Sequence, residues 1–339
     1  MDKRIIFAVA GSGKTTHIVD GLSHDKRSLI ITYTNSNYDN LRKKIANKFD
    51  GDWPENITLM TYFSFLYSFC YKPFLSDMHK AKGVLYEPNP NRFARQDNLN
   101  YYMTEKRYLY SNRLSLLMEK SGVIGEVKMR ISKYFDEFII DEIQDISGRD
   151  FVFLEHLMTI DTNMLFVGDF YQHTFDTSKD GNINKSLFSN KATYQARFTS
   201  KGFTIDDTTL INSWRCSPSV CTYIRDFLDI PMYSNRSNDD DTLIEFVSDS
   251  GLIRSIVEEI GIIKLHYNNG AKYGAGHKNW GDSKGEDHHQ DACVLLNRTT
   301  LSKYTDGKLC ELAPLTKNKF YVAITRARGN VYFVDESCI

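Results

Sequence analysis

The sequence predicts an α/β protein of two domains, each built on a parallel sheet, and three observations carry that expectation. Short β-branched or apolar runs recur along the chain, each followed by a turn or a helical pattern. The alternation restarts after about residue 212. A glycine-rich turn sits between the first run and the first helical stretch, as a strand-to-helix crossover needs. The first set of strands is expected at Ile5–Ala8, Ser28–Thr32, Ile57–Met60, Glu137–Asp141, Asn163–Val167 and Thr208–Ile211. Near-continuous apolar runs of this length suit strands buried on both faces. Helical stretches fall between them at Thr15–Leu22, Tyr38–Lys48, Thr61–Tyr71 and Arg149–Met158. The second set of strands is Leu243–Val247, Ile262–Tyr267, Ala292–Leu296 and Asn330–Val334, with helices at Pro218–Leu228, Leu252–Ile260 and Asn318–Arg326. Residues 76–112, rich in Asn, Tyr, Arg and Lys, read as an irregular insertion, and residues 234–241 as an exposed loop. The expected boundaries are 1–205 and 206–339, with the insertion at about 76–130.

Composition narrows the class. The 339 residues are 41% hydrophobic and 25% charged, which excludes a disordered or low-complexity chain. Forty-two basic against 43 acidic residues leave a net charge of −1, so a nucleic-acid surface has to be a local patch. Six scattered cysteines form no C-x-x-C pair, and no run approaches a membrane span or a signal peptide; reduced thiols in the cytoplasm are expected.

The strongest motif is Ala8-Val-Ala-Gly-Ser-Gly-Lys-Thr15, which fits G-x-x-x-x-G-K-[ST] with Ala8 at the first glycine position. Gly11 and Gly13 let backbone N–H groups curl around a phosphate, and the following helix start favours negative charge. Ala10, Gly11, Ser12, Gly13, Lys14, Thr15 and Thr16 are the expected nucleotide-binding residues. Lys14 is suited to reach phosphates and the Thr15 hydroxyl to ligate Mg²⁺. The second motif is Phe138-Ile-Ile-Asp141-Glu142, an apolar strand ending in two acids. Asp141 there suits the magnesium site and Glu142 the activation of a water. Acids also cap strands on protein surfaces; it is the company of the phosphate loop that favours the catalytic reading.

The run Asp141-Glu-Ile-Gln-Asp-Ile-Ser147 resembles motif II of UvrD/Rep-like superfamily 1 helicases. Other motifs of that family follow in order. Ile31-Thr-Tyr-Thr-Asn35 resembles motif Ia and Thr61-Tyr-Phe-Ser-Phe65 motif Ib. Leu165-Phe-Val-Gly-Asp-Phe-Tyr-Gln172 resembles motif III and Asn212-Ser-Trp-Arg-Cys-Ser217 motif IV. Ser283-Lys-Gly285 resembles motif V and Tyr321-Val-Ala-Ile-Thr-Arg-Ala-Arg328 motif VI. The resemblance implies a P-loop NTPase of two RecA-like domains, with an ATP site between them. It implies Glu142 as catalytic base, Gln172 as sensor of the γ-phosphate, and Arg215 and Arg326 as arginine fingers. It also implies a single-stranded DNA track touched by Tyr33, Thr34, Asn35, Thr61 and Ser64, with movement 3′ to 5′. Each residue has a plainer reading: an ion pair for the arginines, a loop amide for Gln172, a core aromatic for Tyr33. The basic clusters Arg42-Lys43-Lys44, Lys128–Lys133 and Lys317–Lys319 suit phosphates or solvated helix faces alike.

The departures from the family are specific. Seven residues precede Ala8, too few for the upstream glutamine motif that reads adenine, so preference for ATP over other nucleoside triphosphates is left open. Ser36 replaces the motif Ia lysine and Phe63 the motif Ib histidine. Phe175 is the one aromatic near the end of motif III. After motif V stands Glu-Asp-His-His-Gln-Asp291, where His288-His289 reads as part of a polar loop because the sequence spaces no third ligand for a metal. Arg215 to Ser283 is 68 residues, too short for the large accessory domain. These features keep a second expectation alive: an ATPase or sensor subunit that partners a nuclease in anti-phage defence or DNA processing and unwinds little by itself.

Overall fold

The computed structural model describes residues 1–91, 93–174 and 183–339. These form two compact units. One comprises residues 1–6, 15–167 and 183–206, the other 7–14, 168–174 and 207–339. The phosphate loop and the end of motif III therefore cluster with the C-terminal part of the chain.

The first sheet has six strands: β1 (Lys3–Phe7), β2 (Ser28–Thr32), β3 (Ile57–Thr61), β4 (Glu137–Asp141), β5 (Asn163–Gly168) and β6 (Thr204–Asp206). Their spatial order is β3-β2-β4-β5-β1-β6. β2 pairs in parallel with both β3 and β4, so Ile30 faces Leu59 on one side and Ile139 on the other. All five residues of β2 are buried, which suits the apolar centre Leu29–Ile31 of a central strand. β4 pairs in parallel with β5, placing Asp141 opposite Val167. β1 pairs in parallel with β6. The strand expected at Thr208–Ile211 is a correction: strand pairing occurs earlier, at Thr204–Asp206, and 208–211 is turn and coil. Arg4 at the start of β1 is ion-paired with Asp206, which stabilises the earlier register.

Helices Lys14–Asp20, Asn35–Lys48 and Gly148–Leu157 follow the strands as expected. The stretch after β3 begins as helix at Tyr62–Ser64 and widens to π geometry over Phe65–Tyr71, where Phe65 stacks on Phe69 and Tyr67 on Tyr71. The helix Lys72–His79 closes the stretch, and the described residues from 80 to 112 carry a short parallel strand pair, 83–85 with 108–110, and brief turns such as Leu99–Tyr101. The helix Leu114–Lys120 that follows buries Leu114, Leu116, Leu117 and Met118.

The second sheet has five strands: β7 (Ile244–Phe246), β8 (Ile262–His266), β9 (His277–Asn279), β10 (Asp291–Leu296) and β11 (Val331–Asp335), in the order β7-β11-β10-β8-β9, all parallel. Its core gathers Trp280, Phe320, Phe333, Val294 and Leu265 beneath the helices Pro218–Leu228 and Pro314–Ile324. β9 is unexpected from the sequence. The chain returns so closely there that a Cβ on Gly270 would lie 2.6 Å from the Lys278 carbonyl oxygen. Residues 234–241 are more than a loop, since Arg236 donates to the Arg215 carbonyl at 2.9 Å, bonds the Arg328 carbonyl and pairs with Asp240. No helix among the described residues is long and apolar enough to cross a membrane.

Candidate functional site

In the unit holding the phosphate loop, the turn after β1 has Gly11 at φ +70° and Gly13 at φ +89°, a left-handed backbone that favours glycine. Space adds to conformation at Gly11. A Cβ there would stand 2.6 Å from the Arg215 Cβ and 2.8 Å from the Ser213 Oγ. Ser213 donates to the Ala10 carbonyl at 2.8 Å, and the Trp214 N–H donates to the Gly11 carbonyl at 2.9 Å. The Ala10 N–H donates to the Tyr321 hydroxyl at 2.8 Å, and that hydroxyl donates to Asp169 at 3.0 Å. Tyr321 is fully buried, and burial first, then Asp169, pushes its hydroxyl well above the ordinary tyrosine range, so it stays protonated and can donate. Four separate motifs are thus tied together through the loop backbone. Ser12 Oγ, in the same turn, is buried with no hydrogen-bond partner among the described residues.

Gln172 is buried at the end of a short turn that begins at Asp169, where its N–H reaches the Asp169 carbonyl at 2.9 Å. Burial, with Asp169 next, pushes the neighbouring Tyr171 up to about 12. Phe175 lies outside the described residues. Arg215 donates to the Thr325 carbonyl at 3.0 Å and is ion-paired with Asp287. Arg326 is buried, with its Nε donating to the Val322 carbonyl at 3.0 Å and Nη1 to the carbonyls of Ser283 and Glu286 at 3.4 and 3.3 Å. Burial first, then the nearby Arg215, lowers its guanidinium to about 10, so it remains charged at neutral pH. Asp287 lies 4.0 Å from Arg326 and so offers one carboxylate to both guanidinium groups. This carboxylate is 58% exposed, an anion that a ligand with more negative charge can displace.

In the other unit, Asp141 ends β4 in a buried position, and its Oδ1 accepts the Glu142 N–H at 3.0 Å. Glu142 adopts φ 55°, ψ 48°, a conformation costing a non-glycine residue about 1 kcal/mol or more. The side chain of the fully buried Gln144 is hydrogen-bonded to the Glu142 carboxylate. A strained backbone and an aimed amide together orient this acid. The motifs that contain Gln144, Tyr321 and Ser213 are visible in the sequence; the contacts of these residues, and those of Asp287, are not.

In the unit of the glycine cradle, the backbone donors, the buried Ser12 hydroxyl and the Lys14 ammonium suit a phosphate. In the other unit, Thr15 and Asp141 carry oxygen atoms of the kind a hard cation takes.

The residues assigned to a DNA track serve the local fold as well. Tyr33 stacks on the buried Tyr62 at 5.9 Å and meets Phe63 edge-on at 5.7 Å. Thr34 caps the helix Asn35–Lys48 through the Asn37 N–H, and Thr61 caps the next helix through the Ser64 N–H. Asn35, Thr61 and Ser64 line one pocket together with Tyr38 and Asp39. Of the basic clusters, Lys44 bonds the Thr16 hydroxyl, Arg130 lies over Phe69 and Tyr134, and Lys319 lies over Tyr267.

No family's sequence profile matches the chain, and no curated protein matches it. Solved structures do. A structure described as a complex of Arterivirus nonstructural protein 10 (helicase) with DNA aligns with a TM-score of 0.51 at 14% identity, over 98% of this chain and 61% of that one. The structure of a PRRSV helicase aligns at 0.49 and 13%, over 98% of this chain and 52% of that one. The chain thus spans about half to three-fifths of the length of these proteins. With the two parallel sheets, the first of these alignments supports an α/β fold of two RecA-like domains.

Proposed function

We propose that the chain is a UvrD/Rep-like superfamily 1 NTPase that hydrolyses ATP to move along single-stranded DNA, 3′ to 5′. The observation that carries this reading is the hydrogen-bonded path from the phosphate-loop Ala10 N–H through Tyr321 to Asp169, with Ser213 and Trp214 holding the same turn. Motifs of a motor are wired to one backbone segment, so a ligand that moves the segment is felt in each of them.

In this reading the backbone of 10–14 and the Lys14 ammonium bind the phosphates. Thr15 and Asp141 hold Mg²⁺, which neutralises charge on them when bound. Glu142, aimed by Gln144, takes the proton of the attacking water. Gln172 orients that water or the terminal phosphate. Arg215 and Arg326 stabilise charge developing on the transferred group, an effect of about 10³–10⁵ in rate for arginine fingers. Asp287 holds both guanidiniums until phosphate competes for them.

For the DNA track, the arterivirus neighbour described with DNA supports a nucleic-acid ligand. Tyr33 would stack on bases, while Thr34, Asn35, Thr61 and Ser64 would contact the backbone. One observation favours the second reading, a sensor subunit for a nuclease: Asp39 lines the same pocket as Asn35, Thr61 and Ser64, and a carboxylate there repels phosphate.

Steady-state hydrolysis by the purified chain, with and without a poly-dT oligonucleotide at low and moderate salt, separates the two. Strong stimulation that fades with salt supports the translocase. Robust hydrolysis indifferent to the oligonucleotide supports the sensor, and no hydrolysis under any condition sinks both.

A further inference from the structure

We propose that Glu286, His288 and His289 form a site for one divalent transition-metal ion of the zinc type. The site is independent of the nucleotide reading and stands whether or not the chain hydrolyses ATP. From the sequence this run reads as a polar loop; the loop's conformation brings the Glu286 carboxylate within hydrogen-bonding distance of His289.

One nitrogen of each imidazole and one oxygen of Glu286 all lie within 4.8 Å of one another. A tetrahedral ion with bonds of about 2.1 Å places its ligand atoms about 3.4 Å apart, so rotations moving each atom by about 1 Å close the triangle. His289 Nε2 is already 2.8 Å from Glu286 Oε2, and the two imidazole centroids are 4.1 Å apart. Water completes the shell, the open arrangement of three protein ligands that zinc accepts. Two imidazoles and one carboxylate favour a borderline transition metal over magnesium or calcium, which take oxygen sets.

The backbone carrying these ligands is tied down at 286, 287 and 289. The Glu286 N–H donates to the Ser283 carbonyl at 3.2 Å. Arg326 holds the Glu286 carbonyl at 3.3 Å, Arg328 Nε the Asp287 carbonyl at 2.9 Å, and the Arg328 N–H the His289 carbonyl at 3.1 Å. Such anchoring fixes the ligand-bearing positions before an ion arrives. The competing cation is also identifiable: the Lys278 ammonium is ion-paired with the Glu286 carboxylate and gives it up when metal binds. Asp287, the partner of Arg215, sits between two ligand residues, so occupancy of the site bears directly on that arginine.

The test is calorimetric titration of Zn²⁺ into the whole chain after removal of any histidine tag, with the visible spectrum of Co²⁺ as a second readout. The expected result is one ion per chain, bound at least tenfold more weakly by H288A/H289A, with circular dichroism confirming that the variant is folded. K278A should bind several-fold more tightly. C310S/C338S, which removes the two exposed thiols, should bind as the wild type does. Superimposable titrations of wild type and H288A/H289A would overturn the site, as would weaker binding by K278A, or binding lost only in the cysteine variant.

Discussion

Replacing Tyr321 by Phe removes one oxygen from a fully buried position and tests the link from the phosphate loop to Asp169. The hydroxyl accepts the Ala10 N–H at 2.8 Å and donates to Asp169 Oδ2 at 3.0 Å; its next polar neighbour is the Met232 sulfur at 3.9 Å. The phenyl ring keeps the packing, so cavity terms are small. A hydrogen bond to a charged group contributes about 1.5–3 kcal/mol, and a buried N–H left without an acceptor costs about 1–3 kcal/mol. Asp169 keeps the Tyr171 N–H at 3.1 Å, which places its loss at the lower end. The sum is about 3 kcal/mol, or about 6–12 °C in the melting temperature at 2–4 °C per kcal/mol. Because the freed N–H belongs to the phosphate loop, nucleotide affinity should fall about tenfold, equivalent to about 1.4 kcal/mol. Thermal melts and titration with a fluorescent nucleotide read the two effects. A variant that melts within about 2 °C of wild type and binds nucleotide equally well would refute the reasoning.

Four further outcomes are expected. Glu142→Gln should retain nucleotide binding and lose turnover, and Gln144→Ala should lower kcat about tenfold at unchanged affinity; near-normal hydrolysis by E142Q would remove Glu142 from its role. Asp287→Asn should free Arg215 and Arg326 for the transferred group and raise kcat by up to about fivefold, the modest figure that suits an exposed pair; a lowered kcat would show that Asp287 holds the arginines in place instead. Stability should fall with acid through His266. Burial first, then His277, lowers this imidazole to about 4 from 6.5, so below pH 6.5 the unfolded chain takes up a proton that the folded chain refuses. The loss accrues between pH 6.5 and 4 at no more than about 1.4 kcal/mol per pH unit. H266F, which keeps a ring against Tyr273 at the site of the present 4.4 Å stack, should flatten that part of the melting-temperature profile, and an unchanged slope would exclude His266 as its source.

How much of this was legible in the chain depends on the range of the interaction. The strands Ser28–Thr32 and Glu137–Asp141 were readable to the residue, because a strand covered on both faces needs a continuous apolar centre, here Leu29–Ile31 and Phe138–Ile140, which polar residues bound at both ends. Helix Pro218–Leu228 was readable because Ser217 caps it and proline opens it. The glycine turn after β1 and the acid that ends β4 were readable as well, since both lie in contiguous residues. Thr208–Ile211 misled because its Thr-Thr-Leu-Ile pattern is a good strand by local preference, while pairing with β1 uses Thr204–Asp206 and the Arg4–Asp206 ion pair supports that register. β9 was missed because His277–Asn279 has no apolar run; it is a strand only through its ladder to β8.

By itself, then, the sequence determined the alternation of strands and helices, the glycine cradle, and the acids that end β4, all consequences of preferences acting within a few residues. Tertiary structure decided which side chains meet. Tyr321 reaches Ala10 across 311 positions and Arg215 reaches Asp287 across 72. Such partners are chosen by the path of the whole backbone, and a hydrogen bond between distant residues leaves no periodicity in the chain to read.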